Sequence, residues 1–429
     1  MILQSALSWS LVSTSTPLSL PIKNNYVELT FDDQPLNLLV DSGSSQSYLV
    51  YGGWYESVYG RGSCKYLISG CYFCPPTDPC DLVTLLGRVQ RRASYGDGHT
   101  IDYAMRNVTL KVAERETSNF QIGLMVGNSR VERGVQPYGL IGLSLPRSVW
   151  KEILNIEESL FLEQLVRAGL IHRTVFSVHA SEVARGMSGQ LVLGDFLTDV
   201  GNATLIPLAE ANWTDAFVVV ASSVRMRTVS SGEVMESSSE QQAIDVAIDT
   251  GSCVTTVPKE VFRLILQAIE TELGWERTGW ASGAVRVRQK LDAYIGWDGY
   301  IWVRRSVIER LPVIVIQVGA ESSFDVHLSK HVYVCREQWC KLFVSDRLLA
   351  GRVSGSFVLG RPFFVEYDVS VDFDGKVVGL ATPGKPVLSD IISWEMWRKS
   401  RPPRCKRTFK RRSGIAGLWQ RCLGMPLDD

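Results

Sequence analysis

A repeated pair of motifs constrains the fold of this chain more than any other feature of its sequence. The segment LLVDSGSSQSYLV at 38–50 is echoed by VAIDTGSCVTTVP at 246–258. A second pair follows in the same order, YGLIGLSLP at 138–146 and SFVLGRPFF at 356–364. The first motif's aspartate precedes the second motif's glycine by 101 residues in one copy and by 111 in the other. The period is therefore a whole lobe and not a short solenoid unit.

Each copy ends an apolar run on an aspartate, Asp41 or Asp249. Charged side chains are rarely buried unless they are paired or have a task. Two equivalent lobes predict a pseudo-two-fold axis, with the two carboxyl groups facing each other across it. Carboxyls that share a site cannot both ionise easily, so the pair titrates as a unit. The ionised member could activate a water as a general base while the protonated member acts as a general acid.

The residues next to the two aspartates are expected to support the pair. Glycines let the backbone approach closely and reverse direction. One hydroxyl side chain per turn should hydrogen-bond across the axis, and another should reach a carboxylate oxygen. The three sets, with one member per turn, are the glycines Gly43 and Gly251, the bridging hydroxyls Ser42 and Thr250, and the carboxylate-binding hydroxyls Ser44 and Ser252.

Strand patterns dominate the rest of the chain. Short apolar or alternating runs such as YVELTF, QLVLGD and PVIVIQV are separated by Gly, Pro, Asn, Asp and Ser. Clear helical patterns occur at 146–170 and 258–274. The 429 residues suffice for about two or three cores, and no apolar run reaches the roughly 18 residues of a membrane helix. The sequence predicts a mostly β protein with a few helices and no transmembrane segment.

With these motifs the chain resembles the pepsin-like aspartic endopeptidases, in both lobes and over about residues 15–385. Asp41 to Ser45 matches the family's first catalytic motif, and Asp249 to Ser252 matches its second. The motifs that brace the catalytic loops match 140–142 and 358–360. The family's flap, a β-hairpin with Tyr-Gly-x-Gly, matches SYGDGH at 94–99.

The resemblance implies an all-β, bilobal pepsin-like acid protease fold, with two pseudo-two-fold-related lobes and a few short helices. We expect an N-terminal lobe over 1–198, a C-terminal lobe over 199–385 and a basic extension over 386–429. It implies an aspartic endopeptidase that acts on extended polypeptides at acidic pH, as a monomer, without a metal or an organic cofactor. The flap tyrosine would close over the cleft and exclude water. Substrate-binding residues implied are Tyr95, Gly96, Asp97, Gly43, Gly251 and Ser252.

Two positions depart from the family pattern. Tyr48 occupies the place of a tryptophan that commonly hydrogen-bonds the flap tyrosine, and it can still offer a hydroxyl. Cys253 stands where the family usually has Ser or Thr. The favoured interpretation of Cys253 is a small buried hydrophobe, and the alternative is a thiol that narrows a subsite.

Cysteine usage favours an oxidising compartment. Eight cysteines fall in local clusters and Cys253 is left over, which predicts four local disulfides and one free thiol. A zinc site in the first cluster is the less favoured alternative, since it contains a CxxC spacing. The clusters are Cys64, Cys71, Cys74 and Cys80, then Cys335 and Cys340, then Cys405 and Cys422.

Secretion or a vacuolar location is therefore expected, and the glycosylation sequons at Asn107, Asn202 and Asn212 agree with it. The first 20 residues show no clear signal peptide, so we expect either a chain that is not secreted or one that has lost its leader; the cysteines favour the second.

The charge distribution separates the body of the chain from its tail. Residues 398–421 hold ten Lys or Arg and no acid, whereas the body is mildly acidic, which argues against nucleic-acid binding by the main domain. The tail is interpreted as a flexible extension; binding to nucleic acid, acidic polysaccharide or anionic lipid is the alternative. Two rival functions are the alternatives to a protease: a non-enzymatic binding protein of the same fold, and a zinc-binding interaction protein built on the first cysteine cluster.

Overall fold

The computed structural model describes 13 stretches of the chain. The described residues are 17–88, 90–96, 98–131, 135–145, 160–182, 186–196, 203–211, 214, 216–236, 243–280, 290–319, 322–346 and 357–383. The strands, in chain order, are β1 Leu18–Ile22, β2 Tyr26–Phe31, β3 Gln34–Asp41, β4 Tyr48–Val50, β5 Gln90–Ser94, β6 Thr100–Val112, β7 Arg115–Asn128, β8 Gly139–Gly142, β9 Val175–Glu182, β10 Ser188–Leu193, β11 Thr204–Pro207, β12 Val218–Arg227, β13 Val234–Glu236, β14 Ile244–Ile248, β15 Thr255–Thr256, β16 Thr278–Gly279, β17 Ala293–Ile295, β18 Ile301–Arg304, β19 Val313–Val318, β20 Ser322–His327, β21 Val332–Arg336, β22 Trp339–Leu342, β23 Val344–Ser345, β24 Phe357–Leu359, β25 Asp368–Asp372 and β26 Val377–Ala381. The α-helices are α1 Gly52–Tyr59, α2 Leu82–Leu86, α3 Phe161–Arg167, α4 Lys259–Leu273 and α5 Phe363–Glu366.

The strand-rich prediction is confirmed, and the helices agree with it in part. The pattern at 258–274 forms α4, whose buried face includes Val261, Ile265 and Ile269 at helical spacing. The helical pattern at 146–170 is described in part. Its second half contains α3, and residues 146–159 lie outside the described residues. Helix α1 was not predicted because it opens on two glycines, which are poor helix formers. Its side chains Trp54 and Tyr55 are buried.

The sequence repeat is also a repeat of topology. In the first lobe β3 and β8 run parallel with Asp41 opposite Gly142, and β4 pairs antiparallel with β8. In the second lobe β14 and β24 run parallel with Ile248 opposite Leu359, and β15 pairs antiparallel with β24. Each strand that leads to an aspartate therefore pairs with the strand that carries the bracing motif of its own lobe.

A six-stranded sheet joins the two halves of the chain. Its order is β1-β10-β9-β25-β26-β11, and the junction is the antiparallel pair β9 and β25. Side chains strengthen that junction, because the hydroxyls of Ser177 and Ser370 lie 2.8 Å apart and the guanidinium of Arg173 pairs with the buried Asp372. The predicted lobe boundaries, at about 198 and 385, lie outside the described residues and stay predictions.

The described cysteines form disulfides. Cys64 bonds Cys71, Cys74 bonds Cys80, and Cys335 bonds Cys340 across the β21–β22 hairpin. The zinc alternative for the first cluster is therefore wrong, since all four sulfurs are used in disulfides.

The prediction of a free thiol at Cys253 is also wrong. Cys253 is disulfide-bonded. The error arose from pairing cysteines by closeness in sequence, which carries no information on which chain segments meet. Cys405 and Cys422 both lie outside the described residues.

No helix within the described ranges is both long enough and apolar enough to cross a membrane.

Candidate active site

Two buried strands deliver the aspartates to one place. Strand β3 ends on Asp41, whose side chain is only 5% exposed, after the fully buried Leu38 and Val40. Asp249 directly follows β14, and its N–H donates to the Leu359 carbonyl at 2.9 Å. The parallel partner strands therefore fix where each aspartate leaves its sheet.

The two turns interlock because both contain glycine after the aspartate. The Gly43 N–H donates to Asp41 Oδ1 at 2.9 Å, and the Gly251 N–H donates to Asp249 Oδ1 at 2.7 Å. A Cβ atom on Gly43 would overlap the carboxyl group of Asp249, and one on Gly251 would overlap that of Asp41. Each turn thus presses its backbone against the opposite carboxyl, which brings the two carboxyls into a single site.

Two hydroxyl side chains tie the turns together across the axis, as their place in the repeat predicts. The Ser42 N–H donates to Thr250 Oγ1 and the Thr250 N–H donates to Ser42 Oγ, both at 2.9 Å. Each hydroxyl then donates onward to the opposite strand, Ser42 to the Ile248 carbonyl at 3.1 Å and Thr250 to the Val40 carbonyl at 2.9 Å. Both side chains are fully buried, so water cannot easily replace these bonds.

The remaining pair of hydroxyls is not symmetric. The Ser44 hydroxyl donates to Asp41 Oδ2 at 2.7 Å, as expected. The expectation for Ser252 is wrong, because its hydroxyl donates to the Val254 carbonyl at 2.8 Å. That carbonyl is two residues further along the same turn, and such short-range bonds of serine compete with longer-range partners.

The environment of Asp41 favours its protonated form. Burial and the neighbouring charge of Asp249 raise the pKa of Asp41 to about 7, against the opposing effect of the hydrogen bonds from Ser44 and Gly43. Asp41 therefore keeps its proton through the acidic range and can donate it to a substrate oxygen.

The predicted flap lies beside the pair. The hydroxyls of Tyr95 and Tyr48 are 2.7 Å apart, so Tyr48 does supply a hydroxyl to the tyrosine that directly follows β5. The Tyr95 ring stacks on that of His99, with 4.4 Å between centroids and 10° between planes. Burial raises the pKa of both tyrosines well above the ordinary value, so both stay neutral hydrogen-bonding groups.

The tip of the hairpin is described in part. The Gly98 N–H donates to the Tyr95 carbonyl at 2.9 Å, and Gly98 has a φ of +80°, which glycine adopts readily. Gly96 lies in the same turn, whereas Asp97 lies outside the described residues.

Two functional candidates were missed from the sequence. Arg361 follows the second bracing glycine and donates through Nε to the Thr250 carbonyl at 2.7 Å. His331 is fully buried behind the second turn, where its Nε2 lies 3.0 Å from Thr255 Oγ1. A charged residue directly after an apolar-apolar-Gly run was a visible signal for Arg361. His331 offered none, because Thr255, which its ring contacts at the second turn, is 76 residues away in the sequence.

Many potential metal ligands occur in the described part of the chain. No group of three or more His, Cys, Asp or Glu side chains is arranged there to hold an ion.

Comparisons with known proteins agree with this geometry. The family model described as "Eukaryotic aspartyl protease" matches residues 26–383. No curated protein matches in sequence. Among solved structures, the crystal structure of an aspartic proteinase from Irpex lacteus superposes with a TM-score of 0.59 at 17% identity, covering 86% of this chain and 98% of that one. That likeness shows that the fold is bilobal and pepsin-like.

The family match spans both aspartate motifs, the flap hairpin and both bracing motifs. The chain belongs to the eukaryotic aspartyl protease family and is an aspartic-type endopeptidase.

Proposed function

We propose that the enzyme hydrolyses peptide bonds of extended polypeptides at acidic pH, by general acid–base activation of a water held between Asp41 and Asp249. The observation that carries this proposal is the interlocking of the two turns, which places each carboxyl against the backbone of the other's turn. Carboxyls so close share a proton, which is the state that acid–base catalysis requires.

The burial of Asp41 favours one division of roles. Ionised Asp249 takes a proton from the water as its oxygen bonds to the peptide carbonyl carbon, and Asp41 donates its proton to the carbonyl oxygen. A tetrahedral diol results. The amide nitrogen then accepts a proton from the Asp249 carboxyl, the carbon–nitrogen bond breaks, and a diol proton returns to Asp41. The products are a carboxylic acid and an amine, and the pair recovers its starting protonation.

The flap would hold the substrate over the pair. Tyr95, Gly96 and Asp97 would contact one side of an extended peptide, and Gly43, Gly251 and Ser252 the other. Backbone hydrogen bonds of the strand-addition type suit such a ligand, because they tolerate varied side chains. The Tyr48–Tyr95 hydroxyl contact supports this role, since it holds the flap tyrosine towards the site.

Cleavage of denatured haemoglobin or casein from about pH 2 to 7, with and without pepstatin, tests the proposal. Asp41→Asn and Asp249→Asn variants run beside the native enzyme. We expect acid-range cleavage that pepstatin and either substitution abolish. A folded native enzyme that cleaves nothing would contradict the proposal and revive the binding-protein alternative.

We also propose a secretory or vacuolar location. Disulfides of this density persist in oxidising compartments, and three lie within the described residues. Asn107 is exposed on β6, so its sequon is accessible for glycosylation, whereas Asn202 and Asn212 lie outside the described residues. Enzymatic deglycosylation of the protein from a eukaryotic host should increase its gel mobility, and Asn107→Gln should remove part of that shift. Unchanged mobility would contradict a glycan at this site.

A further inference from the structure

A positively charged side chain is buried directly behind the second catalytic turn. Arg361 is only 3% exposed and follows the bracing glycine Gly360. Buried guanidinium groups are rare because removing the charge from water is costly. The residue after the bracing glycine of the first lobe is Leu143, which is fully buried and has no side-chain donor. The buried arginine therefore breaks the symmetry of the two lobes.

Arg361 holds three successive carbonyl groups of the second turn. Its Nε donates to the Thr250 carbonyl at 2.7 Å and its Nη2 to the Gly251 carbonyl at 3.3 Å. Its backbone N–H donates to the Ser252 carbonyl at 2.8 Å. Because the turn of Asp249 is fixed through all three carbonyls, the position of that aspartate depends on Arg361.

The groups that face this guanidinium come from several elements. Asp41 at the end of β3, Asp249 after β14, Tyr26 of β2 and Tyr138 before β8 all interact electrostatically with Arg361. Burial raises the pKa of both tyrosines, so they stay neutral in the acidic and neutral range. Arg130, two residues after β7, interacts with Tyr138 through its charge and a hydrogen bond. Within this set, the arginines and the aspartates carry the charge.

We propose that Arg361 is a positioning residue for the aspartate pair and its buried counter-charge. One negative charge on the pair and one positive charge on the buried Arg361 balance each other, which lowers the cost of ionising the first carboxyl. An opposite charge favours the ionised form, so Arg361 lowers the pH at which the pair loses its first proton. This role rests on the proposed function for its catalytic consequence, but its electrostatic part can be measured without catalysis.

Titration of the pair by NMR tests the electrostatic part. The full chain is labelled with ¹³C at the aspartate carboxyls, and the two signals are assigned by their loss in Asp41→Asn and Asp249→Asn. We expect Arg361→Met to move the first titration midpoint upward by about one pH unit. Arg361→Lys keeps the charge and should hold the midpoint within a few tenths of a unit. Arg106→Met is the matched control, since Arg106 is equally buried but pairs with Tyr72 and Asp78; it should leave the midpoint unmoved.

The pH dependence of peptide cleavage tests the positioning part. Arg361→Met should shift the acidic limb of kcat/KM upward with the NMR midpoint. Arg361→Lys retains the charge, so it should keep the native pH profile. Its ammonium group cannot reproduce the planar guanidinium that holds the turn carbonyls, so kcat should fall about tenfold. An unmoved midpoint in folded Arg361→Met overturns the proposal. Should that variant fail to fold, Arg361→Lys decides, since a shifted midpoint or a native kcat there overturns it.

The two proposals fail differently. If the native enzyme does not cleave peptides but the titration midpoint shifts in Arg361→Met, the proposed function is contradicted and the counter-charge role is supported. If the native enzyme cleaves peptides but the titration midpoint is the same in Arg361→Met, the proposed function is supported and the counter-charge role is overturned.

Discussion

At the scale of single residues, the site depends on two glycines and a few hydroxyls. Gly43 and Gly251 are required for their small size, because a Cβ on either would overlap a carboxyl group. The bridging roles of Ser42 and Thr250 could be predicted, since their positions follow from the repeat itself. The partner of the Ser252 hydroxyl could not, because a neighbouring carbonyl competes for it and the repeat says nothing about that competition.

Gly251→Ala is expected to abolish most of the activity. The added methyl must displace the Asp41 carboxyl or open the turn, and small misplacements at a reacting centre can cost about a hundredfold in rate. Gly87→Ala is the control, since Gly87 has a helical φ of −75° and its nearest atoms lie at 3.5 Å, an ordinary contact. Measurement of kcat/KM in both variants checks this, and equal activities would contradict the close packing of the turns.

Tyr48→Phe tests the flap contact. Removing the hydroxyl leaves the Tyr95 hydroxyl without this partner, which should cost about 1–2 kcal/mol, or roughly tenfold in kcat/KM. Tyr51→Phe is the control, because the Tyr51 hydroxyl contacts the Cys80 carbonyl and not the flap. A Tyr48→Phe enzyme with native kcat/KM would show that the hydroxyl contact does not position the flap.

At the scale of elements, the strands and bracing loops could be predicted better than the contacts behind them. The apolar-apolar-Gly motifs predicted the strands that support the aspartates, and β8 and β24 fill that role. The 3₁₀ turn Leu328–His331 was not predicted, although it brings His331 against the second turn. There the His331 Nδ1 lies 3.1 Å from the His327 carbonyl, and the Gly360 N–H donates to Thr255 Oγ1 at 3.3 Å.

This element should make the fold sensitive to acid. Burial lowers the pKa of His331 to about 4, from an ordinary 6.5, so the unfolded chain binds this proton more readily than the folded one. The stability it contributes is complete above about pH 6.5 and falls as the pH drops towards 4, by about 3 kcal/mol. Asp41, with its raised pKa, changes stability in the opposite sense, so a comparison of variants is needed.

Urea unfolding of the native enzyme and of His331→Gln at pH 7 and pH 4 isolates the histidine. The unfolding free energy should drop less between pH 7 and pH 4 in the variant than in the native enzyme, and the difference should be most of the about 3 kcal/mol expected for His331. Equal drops would show that His331 is not buried in its neutral form.

At the scale of the whole molecule, the six-stranded sheet makes the two lobes one structural unit. The pair β9 and β25 is reinforced by Arg173 with Asp372, by the Ser177 and Ser370 hydroxyls, and by His179 with Asp368. The repeat predicted two lobes but not this sheet, because its strands come from the two ends of the lobes, outside the repeated motifs. The disulfide at Cys253 was missed because sequence spacing does not show which segments meet.

Asp372→Asn tests the junction. Asp372 is buried, pairs with Arg173 and accepts the Gly375 N–H at 2.8 Å, so losing its charge should destabilise the fold by about 2–3 kcal/mol. Asp102→Asn breaks a surface pair with the exposed Arg92 and should cost much less, because water and salt screen exposed pairs. Thermal unfolding of both variants checks this, and similar melting temperatures would contradict a stabilising role for the junction.

The central claim is that Asp41 and Asp249 form one coupled acid–base pair. The most direct test is the pH profile of kcat/KM for a single peptide substrate between about pH 2 and 8. We predict a bell whose alkaline limb lies well above the ordinary pKa of an aspartate, because burial and the charge of Asp249 raise the pKa of Asp41. A profile without this raised limb, in which both carboxyls titrate near the ordinary aspartate pKa, would contradict the account, because it would mean that the two carboxyls titrate independently.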